Sequence, residues 1–143
     1  MSEPLTARDA AAYRHWTPLS VRYADLDTLG HVSNSIYGFY IEEGRAFYLR
    51  EIGLWIPDAA VQNVVARLEI DFIRELRYPA TLRVGSRIVA VGRSSYQVGN
   101  AVFCGDVCHA TGLSVLVRWD TQARRSLPLD EAALATLHEQ RHR

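Results

Sequence analysis

The sequence predicts an α+β domain in which a five-stranded antiparallel sheet wraps around one long central helix. Three observations carry this. A proline-free stretch from Ser35 to roughly Ile52 sets apolar residues at intervals of three to four, the period of a helix. The segments before and after it alternate apolar and polar residues, the period of a strand. The last three alternating runs are joined by turns too short for a crossover, so they form an antiparallel meander, and the lone helix needs an apolar sheet to cover.

Taken in order, residues 1–17 are polar and alanine-rich and are expected to form a loose extension, with a possible short helix around Ala7 to Tyr13. Residues 18–121 are the expected domain. Leu19, Val21 and Tyr23 alternate with Ser20, Arg22 and Ala24, which predicts a first strand ending near Ala24. The helix follows a polar turn, with Ser33 or Asn34 as N-cap and Gly53 positioned to end it in the left-handed conformation. Its apolar stripe is wide, because Phe39, Ala46 and Leu49 extend it, so more than one side calls for cover. Gly44 permits a close backbone approach.

After a connection over Leu54 to Asp58, Val64 to Phe72 alternates cleanly as a second strand. Thr81–Val91, Ser94–Cys104 and Val107–Asp120 read as three more, turning at Gly92-Arg93 and Gly105-Asp106. Residues 122–143 are expected to be a polar tail with a short, frayed helix after Pro128.

The totals exclude several classes. Sixteen basic and sixteen acidic residues cancel, so nothing points to nucleic acid or an anionic membrane. All the basic residues are arginine, a pattern that biased genome composition explains more readily than phosphate recognition does. No apolar run reaches the ~20 residues of a membrane helix, and the N-terminus lacks the apolar segment of a signal peptide, so a cytoplasmic location is expected. Cys104 and Cys108 have no second Cys or His pair at metal spacing and read as free thiols.

The chemistry concentrates between Val21 and Tyr37. Asp25, Asp27, Gly30, His31 and Asn34 fall within ten positions at the junction of strand and helix, which is dense for a connecting turn. The order Tyr23-Ala24-Asp25-Leu26-Asp27, Gly30-His31-Val32-Ser33-Asn34 and Tyr37 resembles the motif of the 4-hydroxybenzoyl-CoA thioesterase-like acyl-CoA thioesterases, which have the hotdog fold. The resemblance continues through Tyr40-Ile41-Glu42-Glu43-Gly44-Arg45, Glu69-Ile70-Asp71-Phe72 and Gly92-Arg93-Ser94-Ser95. Ser33 and Gly44 depart from it, where asparagine and alanine are commoner.

The resemblance implies hydrolysis of an acyl-CoA thioester without metal or redox cofactor. It assigns Asp27 as nucleophile or general base, and the helix start at Asn34, with its unpaired N–H groups and positive dipole end, as the group that polarises the thioester carbonyl. Gly30, His31, Val32, Tyr37, Arg93 and Ser94 are then substrate contacts, Arg93 toward the nucleotide phosphates, with Arg74, Arg77 or Arg124 as alternatives. It also implies a homodimer or homotetramer with active sites between subunits, which the wide helix stripe and open sheet edges independently favour.

Individual residues carry competing roles. Asp25 reads as a turn cap rather than a second acid. His31 either touches the substrate or Asp27, or bonds within the turn. Tyr37 is packing more readily than ligand, and Glu43 is a weaker candidate acid on the helix. Phe39, Trp55, Ile56 and Phe72 are possible acyl-pocket residues. Two other functions stay open: a non-catalytic acyl-thioester-binding protein, and an enoyl-thioester hydratase or dehydratase, whose usual His-containing signature is missing.

Overall fold

The computed structural model describes residues 6–142. Five long strands form one antiparallel sheet in the order β1-β3-β4-β5-β2: β1 His15–Ser20, β2 Val61–Phe72, β3 Thr81–Val91, β4 Ser95–Cys104 and β5 Val107–Asp120. A two-residue strand, β6 Arg125–Ser126, is added against the end of β5. The helix α1, Asn34–Glu51, lies across this curled sheet as expected, and a second helix, α2 Glu131–Arg141, closes one end.

The first strand differs from the sequence expectation. It begins at His15 and ends at Ser20, four residues ahead of the alternation that starts at Leu19. Pro18 is tolerated because β1 is an edge strand. Past Val21 a carboxylate competes with the ladder: Asp25 accepts a hydrogen bond from the Arg22 backbone N–H, and Tyr23–Asp25 turns into a 3₁₀ helix. Of the expected loose extension over residues 1–17, positions 1–5 lie outside the described residues, and the part from Thr6 onward packs more firmly than that. A 3₁₀ turn over Ala10–Ala12 leads to Tyr13, which is buried against Gly85 and donates to the Ala7 carbonyl.

The interior has two main clusters, one at each end of α1. Tyr37, Tyr40 and Ile41 meet Val21, Val32, Leu76, Leu82, Val84 and Val102 at the helix start. Tyr48 and Leu49 meet Leu54, Ile88, Tyr96, Val98 and Leu116 at its end, together with Leu129, Ala133 and Leu137 from the C-terminal segment. The expected frayed tail helix is thus part of the core. Asp130 caps it by accepting from Ala133 N–H at 2.8 Å, and Leu137 is fully buried. A smaller cluster of Tyr13, Trp16, Phe103 and Cys108 lies on the opposite sheet face.

Gly44 makes the expected close approach: a Cβ there would stand 2.5 Å from Val84 Cγ1. The alternation of β2, by contrast, does not translate into burial. Val64, Val65, Leu68 and Phe72 are all exposed, as are Phe39 and Phe47 on α1. β2 is the outer strand of the sheet, its register breaks at a bulge between Val65 and Arg67, and α1 packs more on β1, β3 and β4 than on it. One side of the helix and one edge of the sheet are therefore left uncovered within the chain.

Candidate active site

The turn between β1 and α1 is fixed by polar contacts before any apolar packing is considered. Asp25 is 1% exposed, and its carboxylate accepts from Arg22 N–H at 2.9 Å, from the Arg22 guanidinium at 2.8 and 3.0 Å, and from Tyr40 O–H at 2.7 Å. Burial alone would raise its pKa; these hydrogen bonds and the guanidinium charge outweigh it and hold the carboxyl below its usual range. The same burial, then the carboxylate, push the Tyr40 phenol up. Asp25 also receives Ser33 N–H on its backbone oxygen, directly at the helix start. It is the turn cap that the sequence favoured.

Asp27 is exposed and held by backbone alone. Its Oδ1 accepts from Leu29 N–H at 2.9 Å and His31 N–H at 3.2 Å, and its own N–H donates to the His31 carbonyl at 2.7 Å. Gly30 sits between them at φ 81, a conformation that costs glycine little and side-chain-bearing residues more. The second carboxylate oxygen, Oδ2, has no partner among the described residues.

Asp27, His31, Val32, Asn34 and Tyr37 line one cleft of about 230 Å³ with Phe72, Ile73, Arg74 and Glu75. Asn34 is the first residue of α1, and Ser33 occupies the N-cap position without making the side-chain cap expected of it. The Ser33 hydroxyl pairs with that of Ser35 at 3.2 Å instead. The helix start beside Asp27 thus keeps N–H groups free for a ligand, in the positive end of the helix dipole.

Tyr37 is 3% exposed and packs edge-on against Phe72, ring centroids 5.3 Å apart, while Val32 is buried in the core. Both therefore contribute walls rather than reactive groups. His31 spends its side chain away from Asp27: Nε2 lies 2.8 Å from Glu75 Oε2 and 3.1 Å from an Arg77 guanidinium nitrogen. The long-range bridge between His31 and Arg77, and Val32 N–H donating to the Leu76 carbonyl, staple the turn to the β2–β3 connection. Ile73 and Glu75 are the cleft residues the sequence did not single out, and Glu75 is the polar one. Its pairing with His31 joins positions far apart in the chain, and no local spacing announces it.

Arg93 and Ser94 are not brought to this cleft by their own chain. They sit in the β3–β4 turn, and β3 starts beside Ser20 and runs 11 residues away from it, roughly 35 Å. Trp55 and Ile56 likewise lie beyond the far end of α1, and Phe39 and Glu43 are exposed on its outer side; of the four suggested acyl-pocket residues, Phe72 alone lines the cleft.

Comparison with known proteins gives the same architecture. A family model described as the thioesterase-like superfamily matches residues 21–137. A thioesterase from Thermus thermophilus, solved with coenzyme A and zinc, is 34% identical, with 90% of this chain and 94% of that one covered at a TM-score of 0.78. The PA5185 protein of Pseudomonas aeruginosa PAO1 is 28% identical, covering 93% and 96%, at a TM-score of 0.83. The Bacillus subtilis (strain 168) protein YsmA is 27% identical over 131 residues, 89% of this chain and 88% of its own.

Proposed function

The chain belongs to the thioesterase-like superfamily of thioester hydrolases, and on that premise we propose that it hydrolyses an acyl-CoA to a carboxylic acid and free coenzyme A in the cytoplasm. The observation that carries the reading is the pairing, in one cleft, of an exposed carboxylate with an uncapped helix start. The thioester carbonyl oxygen would point at the first N–H groups of α1 around Asn34, where negative charge develops as the carbonyl carbon becomes tetrahedral. Asp27 Oδ2 then acts from the side. It either takes a proton from the attacking water, or attacks the carbon itself to give a mixed anhydride that water hydrolyses. In both routes one water is consumed, the C–S bond breaks, and the thiolate leaves and is protonated. The reading calls for no metal or redox cofactor.

The second half of the groove is proposed to come from a second copy. The free edge of β2 supports this, since an exposed apolar strand edge with no cover is an open pairing site. An antiparallel pairing of β2 with itself about Leu68 would set Arg67 of one copy opposite Glu69 of the other and Phe72 opposite Val64. Val64 pairs with Val117, and Val117 with Ser95, so the β3–β4 turn of the partner would approach the cleft. Arg93 and Ser94 would then serve the site across the interface, with Arg93 on the nucleotide phosphates.

The test is thiol release by the purified protein over a panel of short, long and aromatic acyl-CoAs. Turnover of at least one class is expected; no release from any would refute the hydrolase reading.

A further inference from the structure

A second cavity, of about 260 Å³, lies at the far end of α1 from the cleft. Glu51 and Ile52 wall it where the helix stops, about 26 Å along the axis from Asn34. The sheet opens beside it: β1 begins at His15, opposite Ser86, so β3 from Arg87 onward has no strand on that side among the described residues. Arg14, His15 and Arg87 line the cavity, with Gln140 from α2.

The charged groups here are donors without acceptors. Neither the Arg14 nor the Arg87 guanidinium has a hydrogen bond or a carboxylate partner among the described residues. Arg87 is held over the ring of the buried Tyr13, 5.4 Å from its centroid, and its Nε is buried with no partner. His15 Nδ1 is likewise buried and unpartnered, while its Nε2 lies 2.6 Å from Glu51 Oε2. Glu51 is the one carboxylate among the lining residues, and that pair takes it up. Two guanidiniums against one engaged carboxylate leave the wall cationic. Capping α1 does not occupy these arginines, because the Tyr48, Leu49 and Arg50 carbonyls accept from Ile52, Leu54 and Gly53 N–H. A buried donor left unpaired by the chain calls for a water or an ion, and beside two unpaired guanidiniums that ion is an anion.

We propose that this cavity binds a phosphate group, free or carried on a small metabolite, through Arg14 and Arg87. A guanidinium fork matches two phosphate oxygens at once, and two forks suit a dianion with several oxygens better than a carboxylate. The volume lies below the ~300–1,000 Å³ of a drug-sized site, which keeps the ligand small. The site is separate from the cleft that holds Asp27 and does not depend on the hydrolase reading.

Isothermal titration calorimetry on the full-length protein uses inorganic phosphate and glycerol 3-phosphate at constant ionic strength, with chloride as reference. Saturable binding of at least one of them is expected, with a Tm that rises with its concentration. Arg87→Gln and Arg14→Gln are each expected to weaken it on the order of 10- to 100-fold, the value of one hydrogen bond to a charged group. Glycerol 3-phosphate binding at least as tightly as the inorganic ion would support a phosphorylated metabolite as ligand; binding of the inorganic ion alone would support free phosphate. No saturable heat with either, or affinities unchanged in both variants, would overturn the proposal. Arg93→Ala is the control: an affinity lost there but kept in Arg14→Gln and Arg87→Gln would put the phosphate at the β3–β4 turn and overturn it too. Arg14 is exposed, so Arg14→Gln keeps the test decisive should Arg87→Gln fail to fold.

Discussion

Replacing Asp25 by asparagine keeps the shape of the turn and removes its charge. The two contacts that matter most reach the buried carboxylate oxygen: Arg22 N–H and Tyr40 O–H both donate to Oδ2, at 2.9 and 2.7 Å. An asparagine oxygen can keep both, but as neutral hydrogen bonds. A bond to a charged acceptor contributes about 1.5–3 kcal/mol against about 0.5–1.5 for a neutral pair, so two such conversions cost about 2 kcal/mol. The guanidinium contacts add little, because the Arg22 side chain is 73% exposed and can turn to water. Differential scanning calorimetry at neutral pH should show a fall in Tm of roughly 4–8 °C. The pH dependence has a fixed sign. The folded carboxyl lies below its unfolded value, so its contribution is fully present above the unfolded pKa of about 3.9 and is lost as pH falls through the folded one. The gap between wild type and Asp25→Asn should therefore be constant above about pH 5 and narrow in stronger acid. A gap under about 1 °C at neutral pH, or one that widens with acid, would refute the assignment of Asp25 as a charged cap.

The remaining expectations concern the second copy and the C-terminal helix. Leu68→Asp sets two carboxylates opposite each other at the centre of the proposed β2 pairing; light scattering should move toward the 16.1 kDa chain mass and turnover should fall with it. Arg93→Ala should raise KM for acyl-CoA about tenfold, equivalent to about 1.4 kcal/mol, with kcat retained; an unchanged KM would remove Arg93 from the substrate. Leu137→Ala, at a fully buried position of α2, should cost about 2–5 kcal/mol in denaturant unfolding, whereas a tail helix outside the core would lose almost nothing.

What the sequence made legible was whatever depends on local pattern. The period of α1, the turns at Gly92 and Gly105, the close approach at Gly44 and the capping role of Asp25 all follow from residues within a few positions of one another. The misses arise where distant contacts decide. β1 starts early because its register is set by β3, from Ser20 opposite Thr81 to His15 opposite Ser86, and not by the apolar alternation around Val21. α2 is firm because Leu137 finds Tyr48 and Ile88 across the fold, which its own weak periodicity does not show. At the site, the density of polar residues from Asp25 to Asn34 was visible in the sequence, and the resemblance of their motif picked out Asp27 and Asn34. The partnership of His31 with Glu75 was not visible, and neither was the separation of Arg93 from Asp27 within one chain. The exposed edge of β2 was foreshadowed by the over-wide stripe of α1, since both are apolar surface in excess of what one chain can bury.

In the proposed reaction the Asp27 carboxylate, held beside the open start of α1, performs the hydrolysis. The most direct test is the steady-state rate of free-thiol release from a saturating acyl-CoA by wild type and Asp27→Asn. The asparagine Oδ1 can still accept from Leu29 and His31 N–H, so the turn and the Tm should be preserved. Turnover should fall on the order of 10² to 10⁴, the contribution of a positioned base. A folded Asp27→Asn protein that released thiol at the wild-type rate would contradict the account.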